Sequence, residues 1–249
     1  MPSTDDYANH ILASLAKEDL DRLRPHLRRI ELTAGEILYE PEDRLDRVYF
    51  PESGLISLIT AMGDGQEIEN CSRGRDGAIG YVEACGSQTM NSRARVQIGG
   101  EAWWLPACAF RDAHEQSPAL RNQIQRRIEV LLADARQSSA CRATHSASNR
   151  LARALLECHH HTGDLRLPLT QEYLSDLIGV GRTTVTHTAS EFQAKQLIRY
   201  SRGVVILTNL EGLKQRACEC YHALRTARDS LLRAAARPGF SLFTVAACF

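Results

Sequence analysis

Residues 170–207 leave the chain little freedom. Thr170 is a good helix N-cap, and behind it Tyr173, Leu174, Leu177 and Ile178 share one apolar face at helical spacing. Gly179 supplies a residue that tolerates positive φ. Gly181-Arg182 then opens a second helical pattern after a connection of only three or four residues. In that second pattern Val185, Ala189 and Phe192 fall on one side. Arg182, Thr183, Thr186, His187 and Ser190 gather on another, which is polar and free of acids. Two short amphipathic helices joined so tightly predict a helix-turn-helix. Residues 199–207 then read as two short strands around Ser201-Arg202-Gly203, a wing.

The polar side of the second helix has what a DNA major groove requires: short hydroxyls and a cation on the first turns of a helix whose positive dipole end can face phosphate. Arg182 is the first candidate base reader, because a planar guanidinium bonds bidentately to guanine, a discrimination of about 1–3 kcal/mol. Thr183, Thr186, His187 and Ser190 are candidates for bases or phosphates. Arg199 and Arg202 are placed to touch the sugar-phosphate backbone, where contacts position a protein without reading sequence. The alternative is two surface helices with a merely solvated polar face.

Upstream, residues 11–30 read as short amphipathic helix, and residues 30–110 as strands and turns. Strand patterns include Glu36-Ile37-Leu38-Tyr39, Arg47-Val48-Tyr49-Phe50, Leu55-Ile56-Ser57-Leu58-Ile59-Thr60, Ala94-Arg95-Val96-Gln97-Ile98 and Ala102-Trp103-Trp104-Leu105. Pro51-Glu52-Ser53-Gly54, Gly63-Asp64-Gly65 and Gly99-Gly100 carry turn signals. This spacing predicts an antiparallel barrel or roll. From Pro118 the period turns helical. Leu120, Ile124, Ile128, Leu131 and Ala135 fall within about a quarter of the circumference, a seam suited to pairing with the same helix of a second copy. Packing of this helix on its own roll is the alternative. A further helix carries Leu151, Ala154, Leu155 and Cys158 inward and ends at His159-His160-His161-Thr162-Gly163. Adjacent histidines diverge by about 100° on a helix and do not chelate one ion together, so no metal site is expected there. Asn209 caps a long last helix with Leu213, Ala217, Tyr221 and Leu224 on one side; the segment 238–249 carries no clear pattern.

The formal charge is zero, yet residues 1–145 hold 17 Lys/Arg against 22 Asp/Glu and residues 146–249 hold 13 against 8. An acidic front and a basic back suit a sensor joined to a DNA reader. Arg225, Arg228 and Arg233 can equally be the solvated face of the last helix. No apolar run is long enough for a membrane span and Met1 to Tyr7 lacks the blocks of a signal peptide, so a cytoplasmic protein is expected. The eight cysteines are scattered, which favours reduced thiols. Cys218-Glu219-Cys220 is the one close pair, and within a helix its side chains diverge, which reads as packing. No enzyme is expected: a cupin-type metal barrel needs strand histidines, and none lies between Leu27 and Arg111.

Leu169-Thr170-Gln171-Glu172 through Ile178-Gly179-Val180-Gly181-Arg182-Thr183-Thr184-Val185 resembles the helix-turn-helix signature of Crp/Fnr-type regulators, and the order of parts agrees over roughly residues 20–215. The resemblance implies an α+β fold: an N-terminal antiparallel β-roll of cyclic-nucleotide-binding type over residues 1–115, a long dimerisation helix over 116–145, and a winged helix-turn-helix over 146–249. It places Arg182, His187 and Thr183 at base-reading positions and Thr170 and Gln171 near the DNA backbone. It implies a homodimer on an inverted-repeat operator, with double-stranded DNA and RNA polymerase as partners, a small-molecule effector, and no resident cofactor. Gly74-Arg75-Asp76-Gly77-Ala78-Ile79-Gly80 resembles the start of the family's phosphate cassette. Cyclic-AMP-binding relatives follow the last glycine with an acid and carry an Arg-Ser pair downstream; here Tyr81 follows Gly80, and the downstream residues are Ser92-Arg93-Ala94. An effector other than cyclic AMP is therefore expected at Gly80, Tyr81, Ser92 and Arg93. Iron–sulfur relatives use N-terminal cysteines, and none precedes Cys71. A protein-interaction module without DNA binding, and a haem- or redox-thiol-sensing regulator, are the alternatives.

Overall fold

The structure is a computed structural model that describes residues 7–63 and 67–233; part of the Gly63-Asp64-Gly65 turn and the segment 238–249 lie outside the described residues. The chain opens with α1 (His10–Ala13) and α2 (Lys17–Leu23), then a 3-10 turn at Arg24–His26 and strand β1 (Arg28–Leu32). The single helix expected over residues 11–30 is thus divided. Ala16 is extended between the two helices, and Pro25, which has no N–H to continue the ladder, tightens the end of α2 into the 3-10 turn. Asn9 anchors this start: its buried carboxamide oxygen accepts from Ile11 N at 3.0 Å, while its amide donates to Pro51 O and Gly77 O at 2.8 and 2.9 Å.

The roll is built from β2 (Ile37–Tyr39), β3 (Arg47–Pro51), β4 (Leu55–Ala61), β5 (Glu67–Arg73), the short α3 (Tyr81–Ala84), β6 (Arg93–Ile98) and β7 (Gly100–Pro106), and is closed by α4 (Ala107–Gln116). Its two antiparallel sheets run β1-β7-β3 and β2-β6-β4-β5. Strand alternation fills the space between them: Ala94 and Val96 of β6 are fully buried with Val48, Phe50, Ile56, Ala102 and Leu105. Full burial of a large apolar side chain contributes about 1.5–3 kcal/mol, so this layer is the main source of the roll's stability.

Helix α5 (Pro118–Thr144) is capped by Ser117, whose hydroxyl accepts from Leu120 N at 3.1 Å. The expected seam is corrected here. Leu120 and Ile124 are fully buried in the core of their own roll, with Ile128 packed against it, because α4 turns the start of α5 back over the sheets. Leu131 is half-buried and Ala135 exposed. Leu132, next to the seam in sequence, is 47% exposed.

The C-terminal half holds α6 (Ala147–Thr162), β8 (Arg166–Leu167), α7 (Gln171–Ile178), α8 (Arg182–Ala194), β9 (Ile198–Ser201), β10 (Val204–Leu207), α9 (Leu210–Arg216) and α10 (Cys220–Arg233). Leu151, Leu155, Leu174, Val185, Phe192, Val205 and Leu213 form its core, which Leu55 and Ile98 of the roll join. The last helix, expected to be continuous from Asn209, is broken: Ala217 is extended at φ −64°, ψ 151°, and α10 turns back along α5. Cys218 therefore precedes a helix rather than lying in one, and its side chain and that of Cys220 converge.

Candidate nucleic-acid interface

Helix α7 begins where Thr170 Oγ1 accepts from Tyr173 N at 3.1 Å, and it ends at Gly179, whose φ of +65° is the left-handed conformation the turn requires. Gly179 N and Val180 N both donate to Ser175 O, at 2.8 and 3.2 Å, and the Ser175 hydroxyl donates to Val180 O. The turn is thus closed on itself before α8 starts. Gly181 is the N-cap of α8 and brings no side chain, so the first N–H groups of that helix are left for an outside acceptor.

Val185, Thr188, Ala189 and Phe192 of α8 are buried, while Arg182, Thr183, Thr186, His187 and Ser190 are all exposed. At about 100° per residue these five span about 140° of the helix surface. Two hydroxyls are already committed as donors: Thr186 Oγ1 to Arg182 O and Ser190 Oγ to Thr186 O, each at 2.9 Å. What they offer outward is lone pairs, which suit the amino groups of adenine or cytosine. Arg182 donates to Glu172, and His187 Nε2 lies 3.1 Å from Glu191 Oε1.

The wing is a two-residue hairpin in which Arg202 and Gly203 both have positive φ, 49° and 75°. Its tip faces the start of α7. Thr170, Gln171, Tyr200, Ser201, Arg202 and Gly203 line one shallow concavity, whereas Arg199, also exposed, lines a separate one with Gln193, Lys195 and Thr208. The structure thus gathers all nine residues singled out in this half onto α8, the wing and the start of α7.

The four residues singled out in the roll are not gathered, and that expectation is corrected. Arg93 is held by two carboxylates, donating to Glu40 at 2.8 Å and to Glu67, so its charge is neutralised within the sheet. Ser92 donates to Asn91. Gly80 has φ +84°, and a Cβ there would meet Leu45 at 2.7 Å, so its role is backbone approach. Tyr81 is buried, which pushes its hydroxyl up to about 12, and it lines a cleft with His10, Arg73, Asp76 and Arg127 that includes neither Ser92 nor Arg93.

A polar joint between the roll and the C-terminal half was not visible in the sequence. Asp134 of α5 accepts from Arg73 of β5 at 3.2 Å and from Arg228 of α10 at 3.0 Å, and Arg228 also donates to Glu157 of α6 at 2.6 Å. Arg228 is thus largely covered within an ion-pair network rather than on a solvated face. His161 Nδ1 lies 2.6 Å from Asp76 Oδ1. Burial alone would raise the Asp76 carboxyl, but His161, then Arg73 and Arg228, outweigh it and hold it well below the usual carboxylate range. Nearby, Ser57 Oγ donates to Glu69 at 2.6 Å and approaches Tyr173 OH at 3.5 Å, tying β4 and β5 to α7. The sequence signal for this joint was slight: isolated charges on otherwise apolar strands and helices.

Among the described residues no helix is long and apolar enough to cross a membrane. Residues 29–117 match the family described as the cyclic nucleotide-binding domain, and residues 149–216 the Crp-like helix-turn-helix domain. The transcriptional regulator SdrP of Thermus thermophilus is 32% identical over 196 residues, covering 76% of this chain and 93% of that protein. A solved transcriptional regulator of the CRP/FNR family from Thermus thermophilus superposes with a TM-score of 0.62 at 26% identity, covering 76% of this chain and 98% of its own. FixK2 from Bradyrhizobium japonicum shares the fold, with a TM-score of 0.67 at 15% identity over 77% of this chain and 98% of its own. The chain belongs to the Crp/Fnr family of transcriptional regulators, with a cyclic-nucleotide-binding-type domain followed by a helix-turn-helix DNA-binding domain.

Proposed function

We propose that the protein acts as a homodimer that sets α8 of each protomer into the major groove at the two halves of an inverted-repeat operator, under the control of an effector other than cyclic AMP. The observation that carries this reading is the exposed arc of Arg182, Thr183, Thr186, His187 and Ser190 at an uncapped helix start, with Arg202 at the wing tip against the start of α7 and Arg199 exposed farther along the wing. In the roles proposed, Arg182, Thr183 and His187 read base edges, while Thr186 and Ser190 accept from base amino groups. Thr170, Gln171, Arg199 and Arg202 hold the backbone. Half-sites then lie about one helical turn apart, about 34 Å.

The dimer contact is assigned to the outer side of α5 at Leu131, Leu132 and Ala135, since Leu120 and Ile124 are occupied within their own chain. Neutralisation of Arg93 by Glu40 and Glu67 supports an effector that is not a cyclic-nucleotide phosphate. RNA polymerase is the partner through which such a regulator would act on transcription, in the cytoplasm.

Selection of operators from random duplexes by the purified full-length protein tests the reading. Recovery of a two-fold-symmetric site is expected. Recovery of a single asymmetric half-site would overturn the dimer, and no enrichment at all would overturn the assigned α8 face.

A further inference from the structure

Four side chains meet where α5 ends and α10 begins. Cys141 lies in the last turn of α5, His145 is its C-cap, and Cys218 and Cys220 flank the start of α10. Their candidate donor atoms, three sulfurs and one imidazole nitrogen, all lie within 4.8 Å of one another. Cys141 Sγ is 3.5 Å from Cys218 Sγ, and Cys220 Sγ is 3.6 Å from His145 Nδ1. A tetrahedral zinc ion about 2.3 Å from sulfur and about 2.0–2.1 Å from nitrogen sets its ligands about 3.8 Å (S to S) and about 3.6 Å (S to N) apart. The Cys141–Cys218 and Cys220–His145 spacings agree with these to within a few tenths of an ångström, and all four donors fall inside a 4.8 Å span that a small contraction onto an ion would close.

The geometry points to a structural Cys3His site for one zinc-class divalent ion, formed by Cys141, His145, Cys218 and Cys220, that clips the end of α5 to the start of α10.

Three further features favour a metal over simple packing. The three thiols are buried in a cluster of their own, apart from both apolar cores, so they fill no hydrophobic layer. His145 Nε2 lies 3.0 Å from Glu219 Oε1; a proton held there leaves the Nδ1 lone pair facing the sulfurs, the carboxylate–histidine arrangement typical of a metal-bound imidazole. Thr144 Oγ1 also lies 3.3 Å from Nδ1, but its one hydroxyl proton goes to Ala140 O at 2.8 Å, so it does not donate to that lone pair. Gln137 Nε2 donates to Cys220 Sγ at 3.0 Å, which offsets part of the negative charge of a thiolate there. Soft thiolates with one imidazole in a closed tetrahedron select zinc over oxygen-seeking ions. Four protein ligands leave no open position, so the role is structural.

The test uses the full-length protein purified under reducing conditions. Elemental analysis should find about one zinc per chain. Demetallated protein titrated with cobalt should give the intense visible bands of a tetrahedral thiolate-ligated ion, a readout that needs no variant. Cys218→Ser should lose the bound zinc, Glu219→Gln should weaken zinc binding about 10–100-fold, and Cys108→Ser, at an exposed thiol elsewhere, should change neither. Zinc at trace level with an aquo-type cobalt spectrum would overturn the site. So would a Cys141–Cys218 disulfide in the purified chain, or the absorption of a multi-iron cluster after anaerobic purification.

Discussion

Arg182 and Glu172 meet across the helix-turn-helix, the guanidinium at the start of α8 donating to the carboxylate in the first turn of α7. Both side chains are largely exposed, so the pair contributes little to stability; its consequence is orientation. One N–H of the five on Arg182 is used, which fixes the plane of the fork while leaving a bidentate edge for guanine. Arg182→Ala should cost about 1–3 kcal/mol at one base position of each half-site and relax preference there. Glu172→Gln should give a smaller loss at that same position and none in the Arg182→Ala background. Fluorescence anisotropy against operators varied one base pair at a time measures both. Equal loss at every position would defeat the assignment.

At the wing, charge and backbone strain can be separated. Arg202 sits at φ 49°, a conformation that costs an ordinary residue roughly 1 kcal/mol and that asparagine tolerates better. Arg202→Asn creates the Asn-Gly pair favoured in such hairpins and removes a cation. Unfolding stability should hold or rise by up to about 1 kcal/mol, while DNA affinity falls about equally for all sequences. The slope of log affinity against log salt should shrink by about 0.9 for the lost phosphate contact. A fall in stability together with affinity would show that the residue acts through the hairpin's fold.

The elements that the sequence revealed are those whose signals are local. Thr170, Gly179 and Gly181 each announce a cap or a turn within a few residues, and each stands where its chemistry placed it. Strands β2, β3, β4, β6 and β7 were legible from their apolar alternation, whereas β5 was not, because Glu69 and Arg73 interrupt it. Those charges are explained only by partners far along the chain: Ser57 for Glu69, and Asp134 for Arg73. The seam on α5 misled for a related reason. Period reveals that Leu120 and Ile124 are buried, but not against which surface, and the roll reaches them first. Cys141 and His145 stand four apart on one helix face, a readable ligand spacing, yet their companions Cys218 and Cys220 converge only because Ala217 breaks the last helix.

Glu69 makes the contact between the two halves sensitive to pH. Burial pushes its carboxyl above the usual 4.5, although hydrogen bonds from Ser57, then Tyr173 and Ser72, pull the other way. The folded protein therefore binds this proton more tightly than the unfolded chain. The resulting stabilisation is complete below about pH 4.5 and is lost as pH rises through the folded value. Glu69→Gln keeps the neutral shape at every pH. Its urea midpoint should match that of the parent near pH 4 and exceed it increasingly toward pH 8. A constant difference across that range would mean that Glu69 is not the linked group.

Arg228 decides whether the joint among α5, α6 and α10 holds. It donates to Asp134 at 3.0 Å and to Glu157 at 2.6 Å, and all three side chains are nearly buried. Arg228→Met leaves Asp134 with Arg73 but strips Glu157 of that donor, while Glu157 Oε1 already lacks a hydrogen-bond partner. Removing one member of a buried ion pair typically costs about 3–5 kcal/mol, because the remaining charge stays desolvated. Replacing both members by apolar groups of similar volume is often neutral, so Arg228→Met combined with Glu157→Met should recover most of the loss. Urea unfolding of the two single variants and the double variant measures the coupling. A double variant no more stable than Arg228→Met would show that Arg228 acts through Asp134 alone, and that α6 is not part of the joint.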